Sequence, residues 1–179
     1  TTPWTIPGNR ALAVHKDIEY KSLNLKINDG NKNLIIATDL VESFVKENKI
    51  EEYKVNFSIK GHELTNTFCK HTLYDSGYNF EVPILHGDFV TTEQGTGIVH
   101  ICPVHGMDDF ILGKQHDLEL PMTINESGIY YDHIPVFNGQ HIFKVDQNVC
   151  DEIKKNNNLI SQGILAVSYT HLRAHETDT

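Results

Sequence analysis

The chain has 179 residues, of which 39% are hydrophobic and 22% charged, and its formal net charge is −9. This composition is typical of a globular protein of about one domain, and no apolar run approaches the roughly 18 residues of a membrane span. The acidic balance argues against a general nucleic-acid-binding surface, because neutralising phosphates needs clustered Lys and Arg, which are scattered here.

The first part of the chain predicts a β-hairpin. Residues Ala11 to Leu23, "ALAVHKDIEYKSL", alternate apolar and polar side chains with a period of two, which indicates one half-buried strand. The segment "NLIIA", residues 33–37, predicts a second strand. The turn residues Asn28-Asp29-Gly30 lie between them, so we expect the two strands to pair.

A helix and three more strands are predicted next. Thr38 and Asp39 can cap a helix whose apolar residues recur at helical spacing and which ends by Asn48. Apolar or alternating runs then predict strands, the first of which ends at Gly61. These runs are "YKVNFSI" at 53–59, "NFEVPILHGDFVT" at 79–91 and "GTGIVHICP" at 95–103.

The second half predicts two helices around a pair of short strands. Met107 to Leu118 carries acids in its first turn, where the helix dipole favours negative charge. Short strands are predicted at "ELPMTI", 119–124, and "GIYYDHI", 128–134. The last helix, 143–157, places apolar residues four apart at Val145, Val149 and Ile153. Together the elements predict an α+β fold, a strand-dominated and barrel-like domain with flanking helices.

The segment "GTGIVHICPVHGMDDF", residues 95–110, holds the densest chemistry, and three interpretations are open. In the first, His100 and Cys102 are core residues and the two aspartates begin a helix. In the second, His100, Cys102 and His105 ligate zinc, although H-x-C-x₂-H is not a common zinc spacing. In the third, the segment forms one wall of a substrate pocket. Adjacent aspartates on a helix lie about 100° apart, so only one of Asp108 and Asp109 can face that pocket.

Two motifs together resemble a known family. The opening "TTPWTIPGN" and the 95–110 segment are similar to the editing domain, connective peptide 1, of bacterial-type isoleucyl-tRNA synthetase. Related valyl and leucyl enzymes carry T-T-R-P, whereas Pro3-Trp4 and the run His105 to Asp109 follow the isoleucine pattern. The resemblance covers about residues 1–165, and it implies a fragment that starts where the editing domain starts.

The resemblance implies hydrolysis of valyl-tRNA made on the isoleucine tRNA. Asp109 matches the carboxylate that holds the α-ammonium group of the misattached amino acid, and His100 matches the histidine that shapes the side-chain pocket. The resemblance also implies hydroxyls around the ester and terminal ribose, a residue on the apolar side of the pocket and the asparagine that closes the opening motif. These are Thr1, Thr2 and Thr5 for the hydroxyls, Trp4 for the apolar side and Asn9 for the asparagine. Thr1, Thr2, Thr5 and Asp109 are the expected catalytic set.

The resemblance also implies the partners. We expect binding of the 3′ end of the mischarged isoleucine tRNA, of its valyl moiety and of the rest of a parent synthetase, by a monomer without a membrane partner. No metal or cofactor is expected in this domain; ATP and Mg serve only the parent, whose H-I-G-H and K-M-S-K-S motifs are absent here. Three separated cysteines without CxxC spacing favour a reducing compartment, hence the cytoplasm.

Departures from the family pattern leave alternatives open. Ile101, Cys102 and Val104 replace the family's usual small residues, and "SYTHLRAHETDT", 168–179, is expected to be a non-native tail after an editing domain at 1–167. Two alternatives to editing remain. One is a zinc-dependent hydrolase that uses His100, Cys102 and His105, and the other is a non-catalytic module that binds the tRNA end.

Overall fold

A computed structural model of the chain describes residues 1–27, 30–93 and 95–163. The strands are β1 (Ala11–Val14), β2 (Glu19–Ile27), β3 (Gly30–Ala37), β4 (Tyr53–Lys60), β5 (Phe68–Lys70), β6 (Glu81–His86) and β7 (Val99–Ile101). The helices are α1 (Val41–Glu47), α2 (Gly61–Leu64), α3 (Met107–Gln115) and α4 (Ile142–Lys155). Short 3-10 helices span Pro3–Gly8, Thr38–Leu40 and Tyr74–Ser76.

The strands form two sheets, which confirms the α+β class. One sheet has four strands in the order β5-β6-β1-β7, and the other has three in the order β3-β2-β4. In the larger sheet, β1 lies parallel to β6 and antiparallel to β7, with Leu12 opposite both Ile84 and His100. Leu12, Ile84 and His100 therefore share one face of that sheet.

The prediction of one strand from Ala11 to Leu23 was wrong. The chain turns between β1 and β2, where the Ile18 amide donates to the His15 carbonyl. β1 and β2 then enter different sheets. The alternation of side chains runs through both strands, so periodicity could not mark the break. β2 and β3 pair as the predicted hairpin. Asn28 and Asp29 of the predicted turn lie outside the described residues.

Most of the other predicted elements are present. β6 and β7 lie inside the predicted strand segments, and β4 ends one residue after its segment. α4 lies within two residues of its predicted bounds, whereas α3 begins at the predicted residue and ends three residues earlier than predicted. The predicted cap of the first helix was wrong, because the Thr38 hydroxyl donates to Glu19 instead. The short strands predicted at 119–124 and 128–134 are not strands, since only isolated bridges join Ile124 to Tyr130 and Ile129 to His141. The predicted tail, 168–179, lies outside the described residues.

Apolar side chains cover both faces of the four-stranded sheet. On one face, Ala11, Ala13 and Ile101 pack against Leu112 of α3. The opposite face, with Leu12 and His100, is the one that the 3-10 helix Pro3–Gly8 approaches. A separate cluster packs α4 through Val145, Val149 and Ile153, as the sequence predicted. Within the described residues, no helix is long and apolar enough to cross a membrane.

Candidate functional site

The 3-10 helix Pro3–Gly8 is held in place through its backbone. The Trp4 amide donates to Asp146 Oδ1 of α4 at 3.1 Å, and the Tyr130 hydroxyl donates to the Trp4 carbonyl. His71 Nε2 donates to the Ile6 carbonyl at 3.0 Å. The three contacts come from three separate parts of the chain, so the position of this helix is determined by tertiary structure.

His100 is bound at both ring nitrogens. Asn9 Nδ2 lies 2.6 Å from His100 Nδ1, and Thr5 Oγ1 lies 3.1 Å from His100 Nε2. The Thr5 hydroxyl donates its hydrogen to the Thr2 carbonyl at 2.9 Å, so it must accept from His100. The Asn9 amide nitrogen can only donate, so Nδ1 must accept. These contacts select the neutral imidazole with its hydrogen on Nε2.

The electrostatics of His100 agree with that protonation state. Burial lowers the pKa of His100 to about 4, because the charged ring would lose its hydration. A neutral ring with both nitrogens engaged offers its carbon edge to a ligand. His100 therefore shapes the site as a wall and has no free nitrogen to act as a general base.

A cavity of about 240 Å³ adjoins His100. It is lined by Thr1, Ile6, Asn9, Leu12, Lys70, Thr72, Val82 and His100. Pockets for drug-sized ligands have about 300–1,000 Å³, so this cavity fits a small group such as an aliphatic amino-acid side chain. Its apolar wall comes from β1, β6 and the 3-10 helix, and its polar wall comes from the Thr1 to Asn9 segment and the end of β5.

A second, wider groove meets this cavity at Thr1. It has about 620 Å³ and runs along the glycine-rich turn that precedes β7. Its described lining is Thr1, Glu47, Phe89, Thr91, Gly95, Thr96, Gly97, Ile98 and Val99. Thr1 thus lies where the small cavity and the wider groove adjoin. Thr2 is exposed, and its carbonyl accepts the Thr5 hydroxyl.

Asp109 lies in the first turn of α3 and is tied to the end of β7. Its Oδ2 accepts a hydrogen bond from the Cys102 amide at 2.7 Å. A Cβ at Gly106 would lie only 3.0 Å from Asp109 Oδ1, so the glycine leaves space for the carboxylate. The side chain is half-buried, and burial raises its pKa. Among the described residues, the salt bridges include none to Asp109.

The structure brings some of the predicted site residues together and separates others. Thr1, Asn9 and His100 line the small cavity, and Thr5 supports His100. Trp4 does not line the small cavity. Its indole packs beside the α4 cluster and contacts the His105 ring edge-on, with the two ring centres 4.6 Å apart. Asp109 does not line it either; its carboxylate lies beside the end of β7, where it accepts the hydrogen bond from the Cys102 amide.

Several lining residues were missed by the sequence analysis. Leu12 and Val82 sit in apolar strand segments, where a core role is the ordinary expectation. Lys70 ends the short strand β5 and Thr72 follows it, and neither belongs to a motif that we identified. Their role depends on the pairing of β5 with β6 and of β6 with β1, which no local pattern reports.

The zinc interpretation finds no support in this arrangement. His100 is bound by Thr5 and Asn9, and His105 Nε2 lies 3.2 Å from the Thr123 hydroxyl. Burial raises the pKa of Cys102 to about 12, so its thiol stays protonated and unreactive at neutral pH. Within residues 1–27, 30–93 and 95–163, no group of three or more His, Cys, Asp or Glu side chains could hold a metal ion.

A family model matches most of the chain. Residues 17–163 match the model described as leucyl-tRNA synthetase, editing domain. In solved structures the fold recurs in GlLeuRS-CP1, with a TM-score of 0.68, 16% identity and coverage of 91% of this chain and 82% of that one. It also recurs in the structure described as the P. knowlesi cytosolic leucyl-tRNA synthetase editing domain, with a TM-score of 0.61, 15% identity and coverage of 88% of this chain and 80% of that one.

Curated relatives are more similar in sequence. The chain is 41% identical over 174 residues to isoleucine–tRNA ligase of Pelagibacter ubique, covering 96% of this chain and 19% of that protein. It is 42% identical over 159 residues to the isoleucine–tRNA ligase of Gluconobacter oxydans, covering 84% of this chain and 16% of that protein. The chain therefore spans less than a fifth of the length of these relatives.

Proposed function

The chain belongs to the family of aminoacyl-tRNA synthetase editing domains, and on that premise we propose that it removes valine from mischarged isoleucine tRNA. The isoleucine assignment is supported by three isoleucine–tRNA ligases that are 41%, 40% and 42% identical to the chain. The observation that carries the proposal is the small cavity beside His100. A cavity of about 240 Å³ with a rigid imidazole wall suits a short branched side chain.

In this proposal, specificity comes from the exclusion of longer amino-acid side chains from the small cavity. His100 is fixed by Thr5 and Asn9, so its ring cannot turn aside to admit a longer side chain without breaking two hydrogen bonds. A valyl group fits beside it, and an isoleucyl group carries one more methylene. The correct product is then rejected from the hydrolytic site because of its size.

Asp109 is the proposed anchor for the substrate α-ammonium group. A half-buried carboxylate without a described cation partner is stabilised when a positive group binds beside it. The ammonium group lies next to the ester carbonyl in any aminoacyl ester. Holding it at the end of β7 would fix the ester near the Thr1 to Asn9 segment, and it would lower the raised pKa of Asp109.

The proposed chemistry is attack of water on the ester carbonyl. The carbon–oxygen bond to the ribose breaks, the ribose oxygen takes a proton, and valine and tRNA are released. The protonated Cys102 thiol and the engaged His100 ring do not provide a nucleophile or a base. Positioning of the ester and of a water by the Thr1 and Thr2 hydroxyls is therefore the proposed contribution of the protein.

Single-turnover release of labelled amino acid tests the proposal. Valyl and isoleucyl esters of the isoleucine tRNA are mixed with the chain and with Asp109→Asn, whose amide oxygen can still accept from the Cys102 amide. We expect release of valine alone, slowed about 30-fold or more in Asp109→Asn, since losing one partner of a partly buried ion pair costs about 2 kcal/mol. Asp108→Asn is the matched control, because it removes an exposed carboxylate of the same helical turn.

Circular dichroism and urea unfolding of each variant establish that the fold is retained. An Asp109→Asn variant with full activity would remove Asp109 from the site. Absence of release from either ester, by a folded chain, would contradict the editing proposal and favour a non-catalytic module.

A further inference from the structure

Two side chains bind the main chain of Trp4 from distant parts of the sequence. Asp146 Oδ1 on α4 accepts the Trp4 amide hydrogen at 3.1 Å, and the Tyr130 hydroxyl donates to the Trp4 carbonyl. Pro3 and Pro7 belong to the same 3-10 helix and have no N–H group, so this helix has few backbone donors of its own. Its position therefore depends on groups that other elements supply.

Tyr130 is suited to act as a fixed donor. Its side chain is buried and packs against Phe137, with the two ring centres 6.1 Å apart. Burial raises the pKa of Tyr130, and the negative charge of Asp146 raises it further, so the hydroxyl keeps its hydrogen at neutral pH. The Trp4 carbonyl therefore always faces a hydrogen-bond donor.

Asp146 is placed by the packing of α4 but is not part of the core. Val145 and Val149 of the same helix are buried, whereas the Asp146 side chain is exposed. The described salt bridges include none to its carboxylate. A substitution of Asp146 therefore removes the contact with the Trp4 amide without opening a cavity in the core.

The Trp4 peptide is connected to the small cavity through the next two residues. The Thr5 hydroxyl accepts from His100 Nε2 at 3.1 Å, and Ile6 lines the cavity beside that ring. A hydrogen bond weakens steeply as its length and angle depart from the ideal values. A displacement of the Trp4 peptide would therefore weaken the bond that Thr5 makes to His100.

We propose that Asp146 and Tyr130 are positioning residues of the editing site, which fix the Trp4 peptide and, through Thr5, hold the His100 ring in the cavity wall. Their effect on editing rests on the proposed function, whereas their hold on the ring does not. Neither residue lies in the two motifs of the sequence analysis, and neither lines the cavity, so both act through Thr5 and do not touch the substrate.

The first experiment measures the hold on His100 without turnover. The exchange of the His100 Hε2 hydrogen with water is followed by NMR in a chain labelled with 15N-histidine, because that hydrogen lies in the bond to Thr5. We expect Asp146→Ala and Tyr130→Phe to exchange it about 10-fold faster, the factor that corresponds to the loss of about one hydrogen bond. Asp146→Asn keeps an oxygen that can accept from the Trp4 amide, and it should retain the slow exchange.

Asp151→Ala is the matched control for this measurement. It removes another exposed carboxylate of α4, one that accepts from Gln147, and it should exchange as the unmodified chain does. Unchanged exchange in Asp146→Ala and Tyr130→Phe would overturn the inference. Exchange as fast in Asp146→Asn as in Asp146→Ala would overturn it too, because the charge and not the hydrogen bond would then be responsible. Urea unfolding of each variant establishes that the fold is retained.

The second experiment measures the effect on editing by single-turnover release from the valyl and isoleucyl esters. Asp146→Ala and Tyr130→Phe should slow valine release about 10-fold, because small displacements in a site are costly to the rate. Both variants should also lower the ratio of valine to isoleucine release, since a loosely held His100 ring excludes isoleucine less well. Asp146→Asn should recover most of the rate and of the ratio.

The two experiments separate failure of the inference from failure of the proposed function. An unchanged rate and ratio in variants with faster Hε2 exchange would mean that the contacts hold the ring without serving editing, and that result overturns the inference. If the unmodified chain hydrolyses neither ester, the editing proposal fails. The exchange measurement then decides by itself whether Asp146 and Tyr130 hold His100.

Discussion

Two histidines next to the site are buried in the neutral form, which predicts a loss of stability in mild acid. His71 is 1% exposed; its Nδ1 accepts from the Leu73 amide at 3.1 Å, and its Nε2 donates to the Ile6 carbonyl. His100 has the same hydrogen-bond pattern, since its Nδ1 accepts from Asn9 and its Nε2 donates to Thr5. Burial lowers the pKa of each ring to about 4. Protonation would place a hydrogen on each Nδ1, where an N–H group already points.

The sign and size of the effect follow from these pKa values. An unfolded histidine titrates at 6.5 and each folded one at about 4, so the unfolded chain holds more protons between those values. Stability is therefore complete above about pH 6.5 and falls as the pH decreases through that window. From pH 8 to pH 5 each histidine lowers the free energy of unfolding by about 2 kcal/mol, and the pair by about 4 kcal/mol. That is a large part of the 5–15 kcal/mol typical of a domain.

Urea unfolding at pH 8 and pH 5 measures this loss. His71→Gln keeps an amide that can donate to the Ile6 carbonyl and does not titrate, so its loss between the two pH values should be smaller by about 2 kcal/mol. His133→Gln, at an exposed position, is the control and should retain the loss of the unmodified chain. An unchanged pH dependence in His71→Gln, or a His71 pKa near 6.5 by NMR, would refute the reasoning.

Two further predictions concern the walls of the site. Gly8→Ala should lower the free energy of unfolding by about 1–3 kcal/mol, because its Cβ would lie 2.5 Å from Cys102 Sγ, and urea unfolding of the double variant with Cys102→Ala should recover part of that loss. His100→Ala should reduce the ratio of valine to isoleucine release about 10–200-fold, which is the discrimination that one methylene gives in the hydrophobic pockets of such synthetases. An unchanged ratio in the single-turnover assay would exclude His100 from discrimination.

The local pattern of the sequence was sufficient for the main helices and for the hairpin. The apolar residues of α4 recur at a spacing that only a helix places on one face, and Val145, Val149 and Ile153 are buried as that spacing requires. The β2 and β3 strands are adjacent in the chain, so their pairing needs no long-range information. The strand predictions for 119–124 and 128–134 were wrong, because alternating side chains do not by themselves provide a partner strand, and only isolated bridges form there.

The roles of the motif residues were only partly predictable. His100 was found from its motif, and it lines a cavity. The sequence analysis expected Thr5 and Asn9 to be site residues, and the structure adds that their side chains bind the two nitrogens of His100. A hydroxyl or amide has the same appearance in a sequence whether it faces a ligand or supports a neighbour. Their assignment required the distance between the first 3-10 helix and β7.

The sequence by itself determined the α+β class, the main helices, the hairpin and the segments from which the site is built, because each depends on residues close together in the chain. Only the tertiary structure decided which residues meet. The cavity combines side chains from the Thr1–Asn9 segment, β1, the end of β5, β6 and β7, and its shape follows from the strand order β5-β6-β1-β7. Strand order depends on contacts between distant residues, which local periodicity does not encode.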